Sequence, residues 1–297
     1  MNMHTIPTAP SGADRPVLQV QAWRISFPAV ASEEHAPLAV INEPINVVAV
    51  AAPVDMTDTL AMSTSPQDGS LLVVWVPAAA AHAIDLESRL QAWIRGDLAP
   101  SRVPVQASIK TIRVICTDTR SVVYAVPEQL SEAMDALARF TLAARQTAAL
   151  EARMAATWPQ IKAHTPLTHA VTRKQQRMQP LVNEQTERAT EMKAMLLRLQ
   201  AALEQLDPTL SGTSKRMYAD LAAAAALNDR LEMLEDPIQF ALDHYELANS
   251  RLTEMGAAQK GHLLEVLIII VLLGDLGTRL VDLLLPRVSL LFSTVIP

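Results

Sequence analysis

Leu263–Leu285 constrains this chain more than any other segment: it is 23 residues long, and 16 of them are Leu, Ile or Val. A helix needs about 20 residues to cross a hydrocarbon core, so the length suffices. The segment also contains Glu265, Asp275, Arg279 and Asp282. At roughly −0.5 kcal/mol each the apolar residues supply about −8 kcal/mol, while each central charge costs about +3 kcal/mol. Glu265 and Asp282 lie near the ends and cost less, which leaves a lone span marginal.

The four charges are not scattered. Positions 265, 268, 272, 275, 279 and 282 step by three and four, so they share one helical face about 100° wide. Gly274, Gly277 and Thr278 are the only other interruptions of the apolar circumference. Asp275 and Arg279 are four apart, a spacing that allows an ion pair. The pattern predicts a helix whose polar stripe meets another helix or its own copies while lipid covers the remainder. A buried helix of a soluble oligomer, with Leu276–Leu285 as a second short helix, is the competing expectation. After Pro286-Arg287, Val288–Ile296 adds nine largely apolar residues, which suit an interfacial or re-entrant piece. Arg251, Lys260 and His262 precede the span, and only Arg279 and Arg287 fall within or after it. Positive charge accumulates on the cytoplasmic side, so the folded part is expected there.

Upstream, the texture divides the chain. Residues 1–16 are rich in Thr, Pro and Ser and have neither the basic nor the apolar region of a secretory signal, which predicts a disordered leader. Residues 17–126 read as an α/β head. Val17–Phe27, Val47–Ala52 and Leu71–Pro77 are β-branched runs bounded by turn formers. Ile84–Ile94 has helical spacing, and Ile109–Cys116 with Ser121–Val126 forms a hairpin across Thr117–Arg120. Pro53–Gly69 is unpatterned and reads as a loop.

Residues 127–256 read as a long-helix coiled region. Glu128–Thr157 is a helix with Pro127 in its first turn, and Pro159, Pro166 and Pro180 should break up the next stretch. Leu181–Leu206 resumes with a seam of Met192, Met195, Leu199, Leu203 and Leu206, spaced as in a coiled coil. Ser214–Leu234 is a further helix with Met217, Leu221, Leu227, Leu231 and Leu234 inward. Asp236-Pro237-Ile238-Gln239 is a start signal for another, because Asp, Pro and Gln suit the cap, first and third positions. That helix, with Ile238, Leu242, Tyr245, Ala248, Leu252 and Met255 inward, meets no proline before Pro286, so it can continue into residues 257–297, the membrane-associated tail. Gly256 and Gly261 are its soft points. The fold class is therefore α+β: a small α/β head, a coiled helical region and a C-terminal apolar membrane helix.

Composition excludes several function classes. Half of the 297 residues are hydrophobic but only 4% aromatic, and the net charge is −6, which argues against nucleic acid as a partner. Cys116 is alone, so neither an intrachain disulfide nor a cysteine-rich zinc site exists. His164 and His169 are five apart, His244 has no histidine at helical spacing, and there is no H-E-x-x-H, so no metal or other cofactor is expected. Glu33-Glu34 and Glu232/Glu235/Asp236 suit solvated faces and caps better than acid–base catalysis. No glycine-rich phosphate loop is present. Arg173-Lys174-Gln175-Gln176-Arg177 reads as a solvated turn or short helix, with an RNA or lipid-headgroup contact as the lesser alternative, and Met192, Met195, Met217, Met233 and Met255 read as core fillers. No enzyme emerges.

Tyr245-Glu246-Leu247-Ala248-Asn249, Leu264-Glu265, Ile268-Ile269-Ile270 and Asp275 occur in an order that resembles the tail of the "required for meiotic nuclear division" family, the YagE-like proteins. Ile112–Pro127, with Val122-Val123-Tyr124, resembles that family's N-terminal hairpin, although Asp118-Thr119-Arg120 stands where the family has a turn glycine. The chain would be a divergent member. The resemblance implies an α/β head, a helical middle and a C-terminal membrane anchor, with an assembly or anchoring role and no known catalysis. Eukaryotic members are mitochondrial inner-membrane proteins linked to translation; with no presequence here, the expectation is a bacterial inner-membrane protein.

The expected function is thus a membrane-anchored, self-associating scaffold or tether. Its partners would be membrane lipid, further copies of itself and a protein not identifiable from sequence. The alternative is an ion channel or transporter subunit using the charged stripe, because intramembrane charges are functional suspects. The outline also resembles CorA-type magnesium channels, without their Gly-Met-Asn signature: Met255-Gly256-Ala257 is the nearest sequence.

Overall fold

The computed structural model describes residues 19–30, 36–61, 69–77, 84–96, 103–169, 171–172, 174–205, 208 and 210–293. The expected leader, residues 1–16, lies outside them. The chain divides into two compact units, residues 1–153 with 193–236 and residues 154–192 with 237–297, which cut across the sequence boundaries at 126 and 256.

The first unit is organised by its most apolar strand. β4 (Leu71–Pro77) is buried at all seven positions, as expected of a strand covered on both faces. Beside it lie β1 (Gln21–Ser26), β2 (Pro37–Ile41), β3 (Val47–Val54), β5 (Val105–Ile109), β6 (Ile112–Cys116) and β7 (Arg120–Ala125), in the order β2-β3-β1-β4-β7-β6-β5. β4 and β7 run parallel, Val74 opposite Val122, and every other pairing is antiparallel. Alternation along β4 feeds two cores. Leu71, Val73 and Trp75 join Met134, Leu137 and Phe140 of α3 (Leu130–His164) and Met217, Tyr218 and Leu221 of α5 (Gly212–Ala224). Leu72, Val74 and Val76 join Leu90, Trp93 and Ile94 of α2 (Ile84–Arg95). The result is a sheet between helical layers, the α/β head that the sequence predicts.

Two arginines tie its loops. Arg120, buried in β7, donates from Nη1 to the Trp93 carbonyl at 2.6 Å and lies over the Trp93 ring at 5.2 Å. Arg145 of α3 donates to the carbonyls of Gly69, Ser70 and Asp118.

Several expectations need correction. Within Pro53–Gly69, Pro53 and Val54 end β3, and Met56–Ala61 forms α1. Asp55 caps α1 by accepting from Thr57 N at 2.7 Å. Pro159 does not end a helix: α3 runs through it to His164. Proline removes the hydrogen bond to the carbonyl four residues back, and that residue, Ala155, is exposed, so water can replace the bond. Ser214–Leu234 is two helices rather than one. α5 ends at Ala224, Ala226 adopts a left-handed φ of 49°, and α6 (Leu227–Ser293) begins. Met217, Leu221, Leu227, Leu231 and Leu234 are nonetheless all buried. Asp236-Pro237 starts nothing, because α6 passes through it, and the residue losing its partner, Met233, is 76% exposed. That exposure also removes Met233 from the core fillers. No separate piece follows Pro286 within the described residues, since α6 continues to Ser293.

Candidate functional site

The second unit carries the segment that set the sequence expectations. Over Ile238–Leu252, α6 buries Ile238, Ala241, Tyr245, Ala248 and Leu252 completely. Those positions alternate steps of three and four, the spacing of one helical face. Buried in the same unit are Ile161 of α3 and Val182 and Ala189 of α4 (Gln179–Glu204). Trp158 of α3 meets Phe240 with ring centroids 5.9 Å apart, and Gln179 of α4 donates from Nε2 to Thr253 Oγ1 at 3.3 Å. Gly256 is not a bend. A Cβ there would come within 2.9 Å of Gln176 Nε2, so glycine admits the close approach of that amide.

Beyond Gly261 the apolar residues lose their cover. Every large apolar residue from Leu263 to Leu276 is between 43 and 69% exposed. Within Leu227–Arg279 lies a stretch long and apolar enough to cross a membrane, and none of it is buried. The stripe keeps its helical register here. Arg279 Nε lies 3.1 Å from Asp275 Oδ2, the predicted i,i+4 pair, and His262 Nδ1 lies 3.6 Å from Glu265 Oε2. Both contacts are exposed and within the helix. Asp282 continues the helix, and its side chain lies outside the described residues.

α4 buries one face, offset from the coiled seam read in the sequence. Val182, Gln185, Ala189, Met192, Leu196 and Leu199 are its buried positions. Met192 and Leu199 therefore sit where the sequence puts them, Leu196 takes the place given to Met195, and Leu203 is half-buried. Leu206 lies outside the described residues.

One cluster escaped the sequence reading. His164 Nδ1 of α3 lies 3.3 Å from the Tyr245 hydroxyl, and His244 meets the Tyr245 ring edge-on, centroids 5.3 Å apart. His244 Nε2 is buried without a hydrogen-bond partner. Desolvation lowers the pKa of both histidines, with the charge of His164 lowering that of His244 further, and burial raises the Tyr245 pKa. No group of three or more metal-ligating side chains occurs among the described residues. The pairing joins residues 81 apart in sequence, which no local pattern announces.

No protein-family model and no curated protein matches this chain. Among solved structures it is similar to the full-length CmaX protein, at 12% identity over 87% of this chain and 84% of that one. The TM-score is 0.32, and a likeness of that size says nothing about what this chain does.

Proposed function

We propose that this chain is a membrane-anchored subunit that associates with copies of itself through α6 and catalyses no reaction. The observation that carries the reading is the uncovered apolar stretch Leu263–Leu276, continuous with a packed helix. Lone insertion of such a stretch is opposed by its charges; neighbouring copies could share the stripe of Glu265, Asp275, Arg279 and Asp282 while lipid covers the rest. Arg251, Lys260 and His262 just before the span support a cytoplasmic location for the folded units. The resemblance to the YagE-like family rests on the tail residues and points the same way.

One observation favours a second reading, an ion channel or transporter subunit. A passive tether needs only a flexible linker between folded domain and anchor. Here a single helix, unbroken through Gly256 and Gly261, joins packed Ile238–Leu252 to the apolar stretch. A rigid connection can move a charged stripe when the folded part moves, as gating requires.

Reconstitution into liposomes tests both. Crosslinking there should give oligomers for the parent and fewer for Arg279→Leu, because Arg279 is the only cation in the stripe. Oligomers without ion flux would favour the scaffold, and flux abolished by Arg279→Leu would favour the channel. A protein that stays out of the liposomes would sink both.

A further inference from the structure

Lys174 and Arg177, from the most basic run of the sequence, have no part in either reading; Arg173 lies outside the described residues. Thr172 N donates to Gln175 Oε1 at 2.8 Å, and the 3-10 helix Gln175–Met178 follows. Side chains three apart lie over one another in such a helix. Lys174 and Arg177 are three apart and both exposed, while Gln175, Gln176 and Met178 are half-buried. The helix therefore turns its amides toward the protein and its two cations toward solvent.

The neighbour on the inner side is α6. Gln179 donates to Thr253, and three residues earlier Gln176 Nε2 closes on Gly256. Moving back along one chain moves forward along the other, so the basic turn approaches the point where α6 loses its cover. Gly256 stands seven residues before Leu263, about 10 Å along the axis. Lys260, also exposed, is four residues beyond Gly256 on the same face and about 4–5 Å short of Leu263. The polar layer of a bilayer is about 5–7 Å deep on each side. Lys260 falls within that layer and the basic turn at its outer edge, where the long stems of Lys174 and Arg177 reach it. The nearby Arg251 is held by Glu254 at 3.1 Å, and His262 lies 3.6 Å from Glu265. Lys174, Arg177 and Lys260 have no carboxylate partner among the described residues.

We propose that Lys174, Arg177 and Lys260 form a basic collar that binds the phosphate headgroups of anionic phospholipids where α6 enters the membrane. The inference rests on the membrane reading and deepens it by naming the class of lipid. Three cations without protein partners attract a net negative surface, and they do so within about one screening length, roughly 8–10 Å. The Arg177 fork can take two oxygens of one phosphate. A zwitterionic headgroup, whose own ammonium answers its phosphate, gains less.

Flotation of the full chain with phosphatidylcholine vesicles tests insertion, for the parent and for Lys174→Gln/Arg177→Gln/Lys260→Gln. Trace spin-labelled phosphatidylglycerol or phosphatidylcholine in those vesicles then reports, by paramagnetic resonance, the lipid that the protein retains. Phosphatidylglycerol should be retained at least about threefold more strongly at low salt. The preference should fall to near unity in about 0.5 M NaCl and in the triple variant. Arg188→Gln, which removes an exposed arginine already paired with Glu184, should leave it unchanged. Should the triple variant lose helicity, Arg177→Gln and Lys260→Gln should each lower the preference singly. A parent that floats but retains both lipids equally, or a preference that survives the triple variant, would overturn the collar alone. So would an oligouridine bound by the parent and lost by the variant while the two lipids are retained equally, which would give the cations to RNA. A parent that does not float would overturn the collar and the membrane reading together.

Discussion

Ile238–Leu252 and Leu263–Leu276 are stretches of one helix with opposite relations to solvent. In the first, Ile238, Ala241, Tyr245, Ala248 and Leu252 return every three or four positions and are fully covered, while Phe240 and Leu247 on the other face stay exposed. In the second, apolar residues occupy nearly the whole circumference, and the polar groups form the stripe. Burying one face of an amphipathic helix in water needs only a neighbour on that face. A helix apolar all round needs cover on every side, in a protein core or in lipid. The difference teaches that the first stretch is covered within this chain while the second needs cover from outside it, by lipid or by another protein surface, and that the change occurs within the few residues from Gln259 to His262.

The bluntest way to break this comparison is to separate the stretches. Full-length protein should sediment with membranes, and a chain truncated after Met255 should remain in the supernatant. A full-length protein soluble without detergent would mean that protein, not lipid, covers residues 263–276. Next in size is the contrast between equivalent truncations. Tyr245→Ala should cost about 3–5 kcal/mol in denaturant melts, as large aromatic deletions from cores do. Ile269→Ala should fall within about 0.5 kcal/mol in detergent, since nothing in the chain packs over it. Similar losses for both would erase the distinction.

The α4 seam repeats the contrast on a smaller scale. Leu199→Glu buries an unpaired charge and should cost more than about 3 kcal/mol, whereas half-buried Leu203→Glu should cost less because its carboxylate can reach water. The smallest expected effect is a pH dependence confined to the packed stretch. His164 and His244 have pKa values lowered by burial in the fold, so the unfolded chain binds more protons below the ordinary histidine value. Their contribution is whole above about pH 6.5 and declines as pH falls through that value, levelling off below the lowered folded values. His244→Phe should flatten that decline in melts between pH 7.5 and 5; an unchanged slope would assign it to other groups.

Where periodicity and β-branched runs carry the signal, the fold is legible. β1, β3, β4, α2 and the β6–β7 hairpin lie within or beside the segments read for them. β5 gives no such signal because it joins β6 through Lys110-Thr111, with Lys110 at a φ of 51°, a conformation usually marked by Gly or Asn. β2 is a five-residue edge strand that opens on proline. The α5–α6 break hides for the same reason as β5: its left-handed residue is Ala226, not glycine. Prolines mislead in the other direction, since Pro159 and Pro237 are carried inside helices where the freed carbonyl belongs to an exposed residue. In the site, the stripe follows from helical arithmetic alone. The His164–Tyr245 contact and the approach of Gln176 to Gly256 depend on which helices become neighbours, which is a tertiary fact.

The parallel pairing of β4 with β7 also has a consequence in time. Leu72 meets Arg120, 48 residues further along the chain, and α2, β5 and β6 must all be accommodated before that ladder can close. Helical turns need only neighbours four residues away and form within about a microsecond, while non-local strand pairing waits for the loop to close. Refolding should therefore be paced by the centre of the sheet. In pulsed hydrogen exchange, amides of α3 should gain protection before those of β4, although β4 ends buried at every position.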